Sequence, residues 1–320
     1  MATPPSGKME PVRALVTGGA GFIGSNLVHA LLERGDDVRV LDNFSTGSRS
    51  NLEGIDAEVV EGELRSYERV HAAMRGVEVV YHLGALGSVP RSVQDPLTSS
   101  AVNVEGTLNV LLAARDEGVR RVVFSSSTSV YGTSRELPTS ESTPADPISP
   151  YGVAKLAAER YCISFNRVYH SFEAVVLRYF NVFGPRQSPH SQYAAAVPLF
   201  IATIDQGEPI TIYGDGEQSR DFTYVANIVD ATIRAADVPD ASGRVFNIAA
   251  GSPASVNQVA ETIGLILGKP VEKRFEPPRP GDIRDSWADI TAARETLGYE
   301  PLVDLAAGLE LTAEAIVARV

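Results

Sequence analysis

The sequence contains one cysteine, Cys162, and no apolar run near the roughly 18 residues that a membrane span needs. A single cysteine excludes a disulfide framework and a zinc site built on thiolates. The five histidines lack the spacing of metal ligands. Residues 1–11 lack the apolar core of a signal peptide. We therefore expect a reduced, cytoplasmic protein that binds neither a metal nor a membrane.

Positive charge is also scarce, because 28 Lys and Arg residues face 40 Asp and Glu residues, a formal net charge of -12. Such a surface repels phosphate backbones, which argues against a nucleic-acid partner. A smaller phosphate-bearing ligand would need a local group of arginines or backbone N–H groups. The chain has 320 residues and is 44% hydrophobic, which suits a globular protein with one large domain or two lobes.

The first half of the chain alternates short apolar runs with helical segments. Unbroken, β-branched runs are typical of strands buried on both faces of a parallel sheet. The alternation predicts an α/β fold, a doubly wound parallel sheet of the Rossmann type, over residues 10–185. Turn signals become denser afterwards, so residues 186–320 are predicted to form a smaller lobe, with part of 222–250 packing back on the sheet. The predicted strands are Ala14–Thr17, Val38–Leu41, Ala57–Val60, Val77–His82, Arg121–Phe124 and Glu173–Leu177.

The first predicted strand leads into Gly18, Gly21 and Gly24, at G-x-x-G-x-x-G spacing before a helix. Glycine permits the tight turn and lets the backbone approach a pyrophosphate, while the helix N-terminus supplies N–H groups. In this strand–turn–helix context the pattern predicts a dinucleotide site that includes Phe22 and Ile23. The alternative is a glycine-rich turn without a ligand.

The second predicted strand is followed by Asp42. A carboxylate there accepts the hydroxyls of an adenosine ribose and repels a 2′-phosphate. The first cation after Asp42 is Arg49, so the residues that follow Asp42 offer no adjacent partner for that phosphate. NAD is therefore predicted rather than NADP. The residues after the strand that are expected to contact the cofactor are Asn43, Ser45, Thr46 and Gly47.

Tyr151 and Lys155 begin a helix after a proline-rich loop, and their i, i+4 spacing places them on one helical face. A lysine ammonium and a positively charged nicotinamide ring both favour the phenolate, so we expect a lowered pKa for Tyr151. The phenol then takes a hydroxyl proton while carbon gives up a hydride. Ser127, at the end of the fifth strand, is predicted to bridge the phenol and the reacting oxygen, and Ser129 to face the substrate. The alternatives are an exposed Tyr–Lys pair and serines that merely cap a turn.

These features together resemble the extended short-chain dehydrogenase/reductase family, and the resemblance covers nearly the whole chain. Within it, the chain is most similar to nucleotide-sugar 4-epimerases, particularly those acting on N-acetylated UDP-hexosamines. The stretch Gly87-Ser88-Val89-Pro90-Arg91-Ser92 and the run from Leu177 to Gln187 carry this likeness. The resemblance implies NAD as cofactor, a UDP-sugar as substrate, and sugar-nucleotide binding by residues 186–320.

The resemblance also implies roles for single residues. Further cofactor contacts are expected from Glu63, Leu64, Leu83, Gly84, Ala85, Asn103, Ser125, Lys155 and Tyr179. Substrate contacts are expected from Gly87, Ser88, Arg91, Ser127, Ser129, Asn181, Gln187, Val197, Tyr213, Arg220, Arg279, Asp282 and Ser286. Arg220 and Arg279 correspond to diphosphate-binding arginines and supply the local positive charge. Glu63 departs from the aspartate usual near the adenine, and Gly84 from an alanine.

The reaction follows from residues that differ among relatives. Thr128 and Ser129 stand where dehydratases carry an Asp–Glu pair, and decarboxylases a glutamate at the second position. Epimerisation through a transient 4-keto sugar is therefore expected, and the small Ser286 leaves room for a 2-acetamido group. UDP-glucuronate 4-epimerase stays an alternative, as does, more remotely, another dehydratase or decarboxylase or a non-catalytic NAD(P)-binding sensor.

Relatives dimerise through two helices, here roughly Val102–Glu117 and Tyr151–Asn166. A homodimer with a four-helix interface is therefore expected. An apolar stripe agrees with this, although an internal core face would give the same pattern. The stripe consists of Ala101, Val104, Leu108, Leu111 and Leu112.

Overall fold

The computed structural model describes residues 11–133, 136–189, 195–278 and 283–318. Within these ranges the strands, in chain order, are β1 (Arg13–Thr17), β2 (Asp37–Asp42), β3 (Glu58–Glu61), β4 (Val79–His82), β5 (Arg121–Ser127), β6 (Glu173–Tyr179), β7 (Val182–Phe183), β8 (Ile210–Tyr213), β9 (Ser219–Arg220), β10 (Thr223–Tyr224), β11 (Val245–Ile248), β12 (Ala254–Ser255), β13 (Lys273–Glu276) and β14 (Asp285–Ser286). The helices are α1 (Phe22–Arg34), α2 (Tyr67–Met74), α3 (Val89–Gln94), α4 (Pro96–Ser100), α5 (Gly106–Asp116), α6 (Pro150–Val168), α7 (Ala196–Asp205), α8 (Val225–Asp237), α9 (Val256–Leu267), α10 (Thr291–Leu297) and α11 (Leu305–Val317). No helix in the described ranges is long and apolar enough to cross a membrane.

The main sheet is parallel throughout and has seven strands among the described residues, in the order β11-β6-β5-β4-β1-β2-β3. The predicted α/β fold with a doubly wound parallel sheet is therefore confirmed. The six predicted strands all occur, and β5 and β6 extend further towards their carboxyl ends than predicted. The chain reverses its direction of winding between β1 and β4, and ligands of such sheets bind outside the carboxyl ends at this point.

The side chains of each strand alternate between two hydrophobic cores, one on each face of the sheet. Ala14 and Val16 of β1 pack with α1 and α8, whereas Leu15 packs with α2, α5 and α6. Helix α8 lies against α1 and the sheet, as predicted for part of 222–250. The core on the α1 side continues into α7, α9, α10 and α11.

The C-terminal part also contains small strand pairs that lie apart from the main sheet. Strands β9, β12 and β14 form a three-stranded sheet, while β8 pairs with β13 and β7 with β10. In the β9–β14 pair, Arg220 lies opposite Ser286 in the parallel register. This arrangement brings two of the residues expected to contact substrate next to each other. The predicted division of the chain at residue 185 stays a prediction.

Candidate active site

The glycine-rich turn after β1 lies against the loop after β4. Gly18 has a φ of +69°, and a Cβ added to it would lie 2.7 Å from both Cα and N of Gly84. A Cβ added to Gly24 would overlap the carbonyl group of Gly18. Glycine is therefore required at Gly18 and Gly24 for packing within the protein. Gly84, which stands where the resemblance implied an alanine, belongs to the same close contact.

Gly21 differs, because an added Cβ would meet only the Gly18 carbonyl oxygen, at 3.2 Å. It is the N-cap of α1 and provides no side-chain cap, so the N–H groups of Phe22, Ile23 and Gly24 open the helix without such a partner. Open space in front of uncapped N–H groups and a positive helix end suits a pyrophosphate. The turn therefore fits the dinucleotide that the glycine pattern predicts.

Asp42 is 8% exposed at the end of β2, beside this turn. One carboxylate oxygen accepts from the Ala20 N–H at 2.9 Å and the other from the Phe44 N–H at 2.8 Å. These bonds fix the carboxylate at the strand end while each oxygen keeps a free lone pair, as the binding of ribose hydroxyls requires. Beyond Asp42 the side chains of Asn43, Ser45 and Thr46 are exposed, and Gly47 packs against Ala20.

A buried polar side chain fixes the backbone of the loop after β4. Asn103 accepts from the Leu86 N–H at 2.8 Å and donates to the Leu86 carbonyl at 3.1 Å, so its amide supports the backbone of this loop. Its predicted contact with the cofactor stays a prediction. Leu83, Gly84 and Ala85 are half-buried in the same loop.

Glu63 and Leu64 follow β3 and differ in their surroundings. Leu64 is 8% exposed and belongs to the core on the α5 side. The carboxylate of Glu63 is bound by Arg65, with about a third of its side chain exposed. The glutamate that replaces the expected aspartate thus has a partner of its own beside the predicted adenine position.

The catalytic pair lies at the start of α6. Ser149 caps the helix by accepting from the Gly152 N–H at 3.1 Å, and Ser92 accepts from the Tyr151 N–H at 3.1 Å. Tyr151 is 9% exposed, and its phenol interacts with the side chain of Ser127 at the end of β5. The Ser127 hydroxyl also donates to the Ser129 hydroxyl at 3.1 Å. The structure therefore brings Tyr151, Ser127 and Ser129 together.

The side chain of Lys155 contacts β5. Its Nζ donates to the carbonyl oxygen of Ser125 at 2.8 Å and lies 4.8 Å from the centroid of the Phe124 ring. Burial raises the pKa of Tyr151, and the Ser127 hydroxyl opposes this. Among the protein's own groups, desolvation of the phenolate dominates. The expected lowering, which also requires the nicotinamide ring, stays a prediction.

Ser88 and Arg91 belong to the segment that leads into α3. Ser88 caps α3 by accepting from the Arg91 N–H at 3.2 Å, and Gly87 just before it is exposed. The next residue, Ser92, fixes the backbone of Tyr151. This segment therefore connects the predicted sugar-binding residues to the catalytic helix.

The remaining predicted residues occupy β6, the segment after it, and the C-terminal part. The Tyr179 hydroxyl pairs with Thr232 at 2.7 Å, and the Asn181 amide donates to the Asp221 carbonyl at 3.4 Å. Gln187 donates to the Val182 carbonyl at 3.4 Å. Tyr213 ends β8 and is half-buried.

The side chains of Val197 and Arg220 mainly contact other parts of the protein. The side chain of Val197 is buried in the core, so only its N–H, in the first turn of α7, is suited to a ligand. Arg220 donates to the carbonyls of Ser219 at 2.8 Å and Arg284 at 2.9 Å, beside Ser286. Arg279 and Asp282 lie outside the described residues.

Sequence reasoning missed several residues that shape this region. Asp221, fully buried, accepts from the N–H groups of Ala250 at 2.9 Å, Gly251 at 3.1 Å and Ala288 at 3.2 Å. Burial raises its pKa to about 6, against these bonds. Glu159 was also missed, although it stands four residues after Lys155 on the same helical face.

Comparison with known proteins agrees with this geometry. The model of the NAD dependent epimerase/dehydratase family matches residues 14–249. The chain is 42% identical over 313 residues to a UDP-glucose 4-epimerase of Mycolicibacterium smegmatis, covering 95% of this chain and 98% of that protein. A crystal structure of UDP-glucose 4-epimerase with UDP-glucose from Thermotoga maritima has a TM-score of 0.92 at 40% identity, covering 96% and 99% of the two chains.

A second solved structure is similar to the same extent. The UDP-N-acetylglucosamine 4-epimerase of Methanobrevibacter ruminantium M1, in complex with UDP-N-acetylmuramic acid, has a TM-score of 0.93 at 37% identity. The alignment covers 98% of this chain and 100% of that one. Similarity over the full length extends to proteins named for both plain and N-acetylated sugars.

Proposed function

The chain belongs to the NAD dependent epimerase/dehydratase family, and on that premise we propose that it is a UDP-hexose 4-epimerase. Its substrates are UDP-glucose and UDP-galactose, and also UDP-N-acetylglucosamine and UDP-N-acetylgalactosamine. One observation carries the proposal: the buried phenol of Tyr151, beside Ser127, stands at the same sheet edge as a helix N-terminus without a side-chain cap. Relatives named as 4-epimerases of these sugars support it.

NAD, when bound, supplies reversible acceptance of a hydride. Gly21 and the first turn of α1 hold its pyrophosphate, and Asp42 holds the adenosine ribose. Tyr151 takes the proton of the sugar 4-hydroxyl, and Ser127 orients that hydroxyl against the phenol. After the resulting 4-keto sugar rotates in the pocket to present its opposite face, Tyr151 returns the proton. The C4 hydroxyl is thereby restored with the opposite configuration.

The substrate is held by both parts of the chain. We propose that Arg220, together with Arg279, binds the diphosphate, and that Asp282 binds the nucleoside ribose. Ser129 and Asn181 contact the sugar, and the small Ser286 leaves space for a 2-acetamido group. Because Thr128 and Ser129 carry hydroxyls instead of carboxylates, the pocket has no second acid/base there to eliminate water or assist decarboxylation.

Tyr151→Phe tests the chemistry. We expect turnover to fall by at least about 1000-fold, since the proton acceptor is lost, while NAD affinity changes little. Tyr161→Phe is the control, because Tyr161 lies on the same helix and is 40% exposed. Unchanged turnover in Tyr151→Phe would refute the proposal.

A substrate panel tests the specificity. Purified protein is incubated separately with UDP-glucose, UDP-N-acetylglucosamine and UDP-glucuronate, and the products are resolved by chromatography. We expect 4-epimers of the first two. Conversion of UDP-glucuronate alone would replace this proposal with the uronate 4-epimerase alternative.

We also propose that the enzyme is a homodimer. Exposed apolar side chains cluster on α3, α4 and α6, namely Val93, Leu97, Val153 and Tyr161. Of the predicted stripe, Leu111 is buried in the core of its own chain, which corrects that expectation, while its other members are partly exposed. The cytoplasmic location stays a prediction.

The oligomeric state can be measured by sedimentation with a pair of leucine substitutions. Leu97 and Leu265 are both 83% exposed, but only Leu97 belongs to the apolar cluster. We expect Leu97→Glu to give monomers and Leu265→Glu to sediment like the wild type. Dimers of unchanged affinity in Leu97→Glu would contradict this interface.

A further inference from the structure

A buried ion pair lies directly behind the catalytic pair. Glu159 follows Lys155 by one helical turn and Tyr151 by two, so all three share a face of α6. The side chain of Glu159 is 2% exposed and that of its partner, Arg178, 5%. Removing two charges from water is costly unless the geometry offsets it. Nothing in the proposed chemistry so far uses this pair.

The pair fastens α6 to two adjacent strands. Ser126 of β5 and Arg178 of β6 lie opposite each other in the parallel register. The Ser126 hydroxyl donates to Glu159 Oε1 at 2.5 Å, and Arg178 donates from Nε to Oε1 at 3.0 Å and from Nη2 to Oε2 at 2.8 Å. Arg178 is fixed in turn, with its guanidinium 4.6 Å from the centroid of the Tyr131 ring.

Three consecutive residues of β5 each contact a different residue on the same face of α6. The Ser125 carbonyl accepts from Lys155, and the Ser126 hydroxyl donates to Glu159. The next residue is Ser127, whose side chain interacts with the Tyr151 phenol. A displacement of α6 along the strand would disturb all three contacts together.

We propose that Glu159 is a positioning residue of the active site: its carboxylate, fixed by Arg178 and Ser126, locks α6 onto β5 and places a negative charge one helical turn from Lys155. The inference rests on the proposed function, in which Tyr151 takes the proton and Lys155 is a predicted cofactor contact. Glu159 acts through Lys155 and does not touch the substrate.

The groups around Lys155 leave Glu159 as its one charged support in the described part of the chain. Burial lowers the pKa of Lys155 to about 8, while Cys162 and Glu159 act against this. Burial raises the pKa of the Cys162 thiol far above its ordinary value, so the sulfur is uncharged. His82 on β4 is likewise neutral, since burial and then Lys155 lower its pKa to about 3. The Phe124 ring contributes a cation–π contact.

The test is direct titration of Lys155. The chain has four lysines (Lys8, Lys155, Lys269 and Lys273), so protein labelled with 13C at the lysine ε-carbon gives few signals, and Lys155→Met assigns the relevant one. We expect Glu159→Gln to lower the titration midpoint of Lys155 by roughly one pH unit, because an opposite charge is removed. The alkaline limb of the kcat profile should move in the same direction.

Glu173→Gln is the control. Glu173 also pairs with a buried arginine, Arg121, at 2.7 Å, but at the opposite end of β6. We expect its Lys155 midpoint to equal that of the wild type. A merely structural role for Glu159 would lower activity without moving the midpoint.

A double variant, Glu159→Gln with Arg178→Gln, covers the case in which the single change fails to fold. Replacing both charges leaves no unpaired buried ion, so the fold is retained. Its midpoint should also fall, by less, because removal of the positive charge of Arg178 acts in the opposite direction to removal of Glu159. An unchanged midpoint in both variants would overturn the inference. Because the titration needs no substrate, this outcome is distinguishable from a failure of the proposed function, which the substrate panel reports.

Discussion

Gly18→Ala tests whether the cofactor turn is built by packing or by backbone conformation alone. Gly18 and Gly54 both have left-handed backbones, with φ of +69° and +76°. They differ in surroundings, because a Cβ at Gly54 meets nothing within 4 Å, whereas one at Gly18 lies 2.7 Å from backbone atoms of Gly84. The pair of variants therefore separates the conformational cost from the cost of the close contact.

The magnitudes follow from these two terms. A left-handed alanine costs roughly 1–2 kcal/mol, which is the whole effect expected for Gly54→Ala. Gly18→Ala adds an overlap with backbone that cannot swing aside, and forced overpacking costs about 1–3 kcal/mol more. At about 2–4 °C per kcal/mol for a chain of this general size, we expect Gly54→Ala to lose a few degrees and Gly18→Ala roughly twice as many.

Calorimetry measures the unfolding midpoints, and titration calorimetry measures NAD affinity. Gly18→Ala should also weaken NAD binding by about tenfold or more, because the loops after β1 and β4 must separate. Gly21→Ala should lower the midpoint less than Gly18→Ala, because its Cβ meets only the Gly18 carbonyl oxygen, at 3.2 Å, and it should lose NAD affinity. Equal midpoints for Gly18→Ala and Gly54→Ala would refute the packing argument.

Two further predictions concern buried polar groups. Burial keeps His82 neutral in the folded protein down to a pKa of about 3, whereas the unfolded chain takes up a proton below about 6.5. The free energy of unfolding, measured in urea, should therefore fall by about 2 kcal/mol from pH 7 to pH 5. In His82→Gln this fall should be smaller, and an equal fall in both proteins would contradict the prediction. Asp221→Asn replaces one acceptor oxygen by an N–H donor facing backbone N–H groups, so the segment carrying Arg220 should shift. Substrate KM should then rise about tenfold with a smaller change in kcat, and a change confined to kcat would disprove that role.

Local signals explain why most of the sheet was predictable. Each of the six predicted strands is an apolar run whose burial on both faces leaves a pattern in the sequence itself. Strand β11 (Val245–Ile248) has four residues and acquires its place only by pairing with β6, about 70 residues earlier in the chain. Sequence reasoning placed this region against the sheet but did not identify the strand.

The residues of the site likewise include some that a local sequence pattern predicts and some that it does not. The glycine spacing, Asp42 and the Tyr–Lys pair are local patterns, and the structure brings them to one edge of the sheet. Glu159 and Arg178 look like ordinary charges in the sequence, because their burial depends on the register of β5 and β6. The support that Asp221 gives to Ala250 and Ala288 is likewise a tertiary contact without a sequence pattern.

The electrostatics of the phenol connect these points. Burial raises the pKa of Tyr151, and Ser127 is the one opposing influence that the described residues supply. The ammonium of Lys155 is engaged by the Ser125 carbonyl and the Phe124 ring. A lowered pKa of the phenol would therefore need positive charge from outside the described residues, such as the oxidised nicotinamide ring. On this argument, proton removal from the sugar would be favoured in the state in which a hydride acceptor is also present.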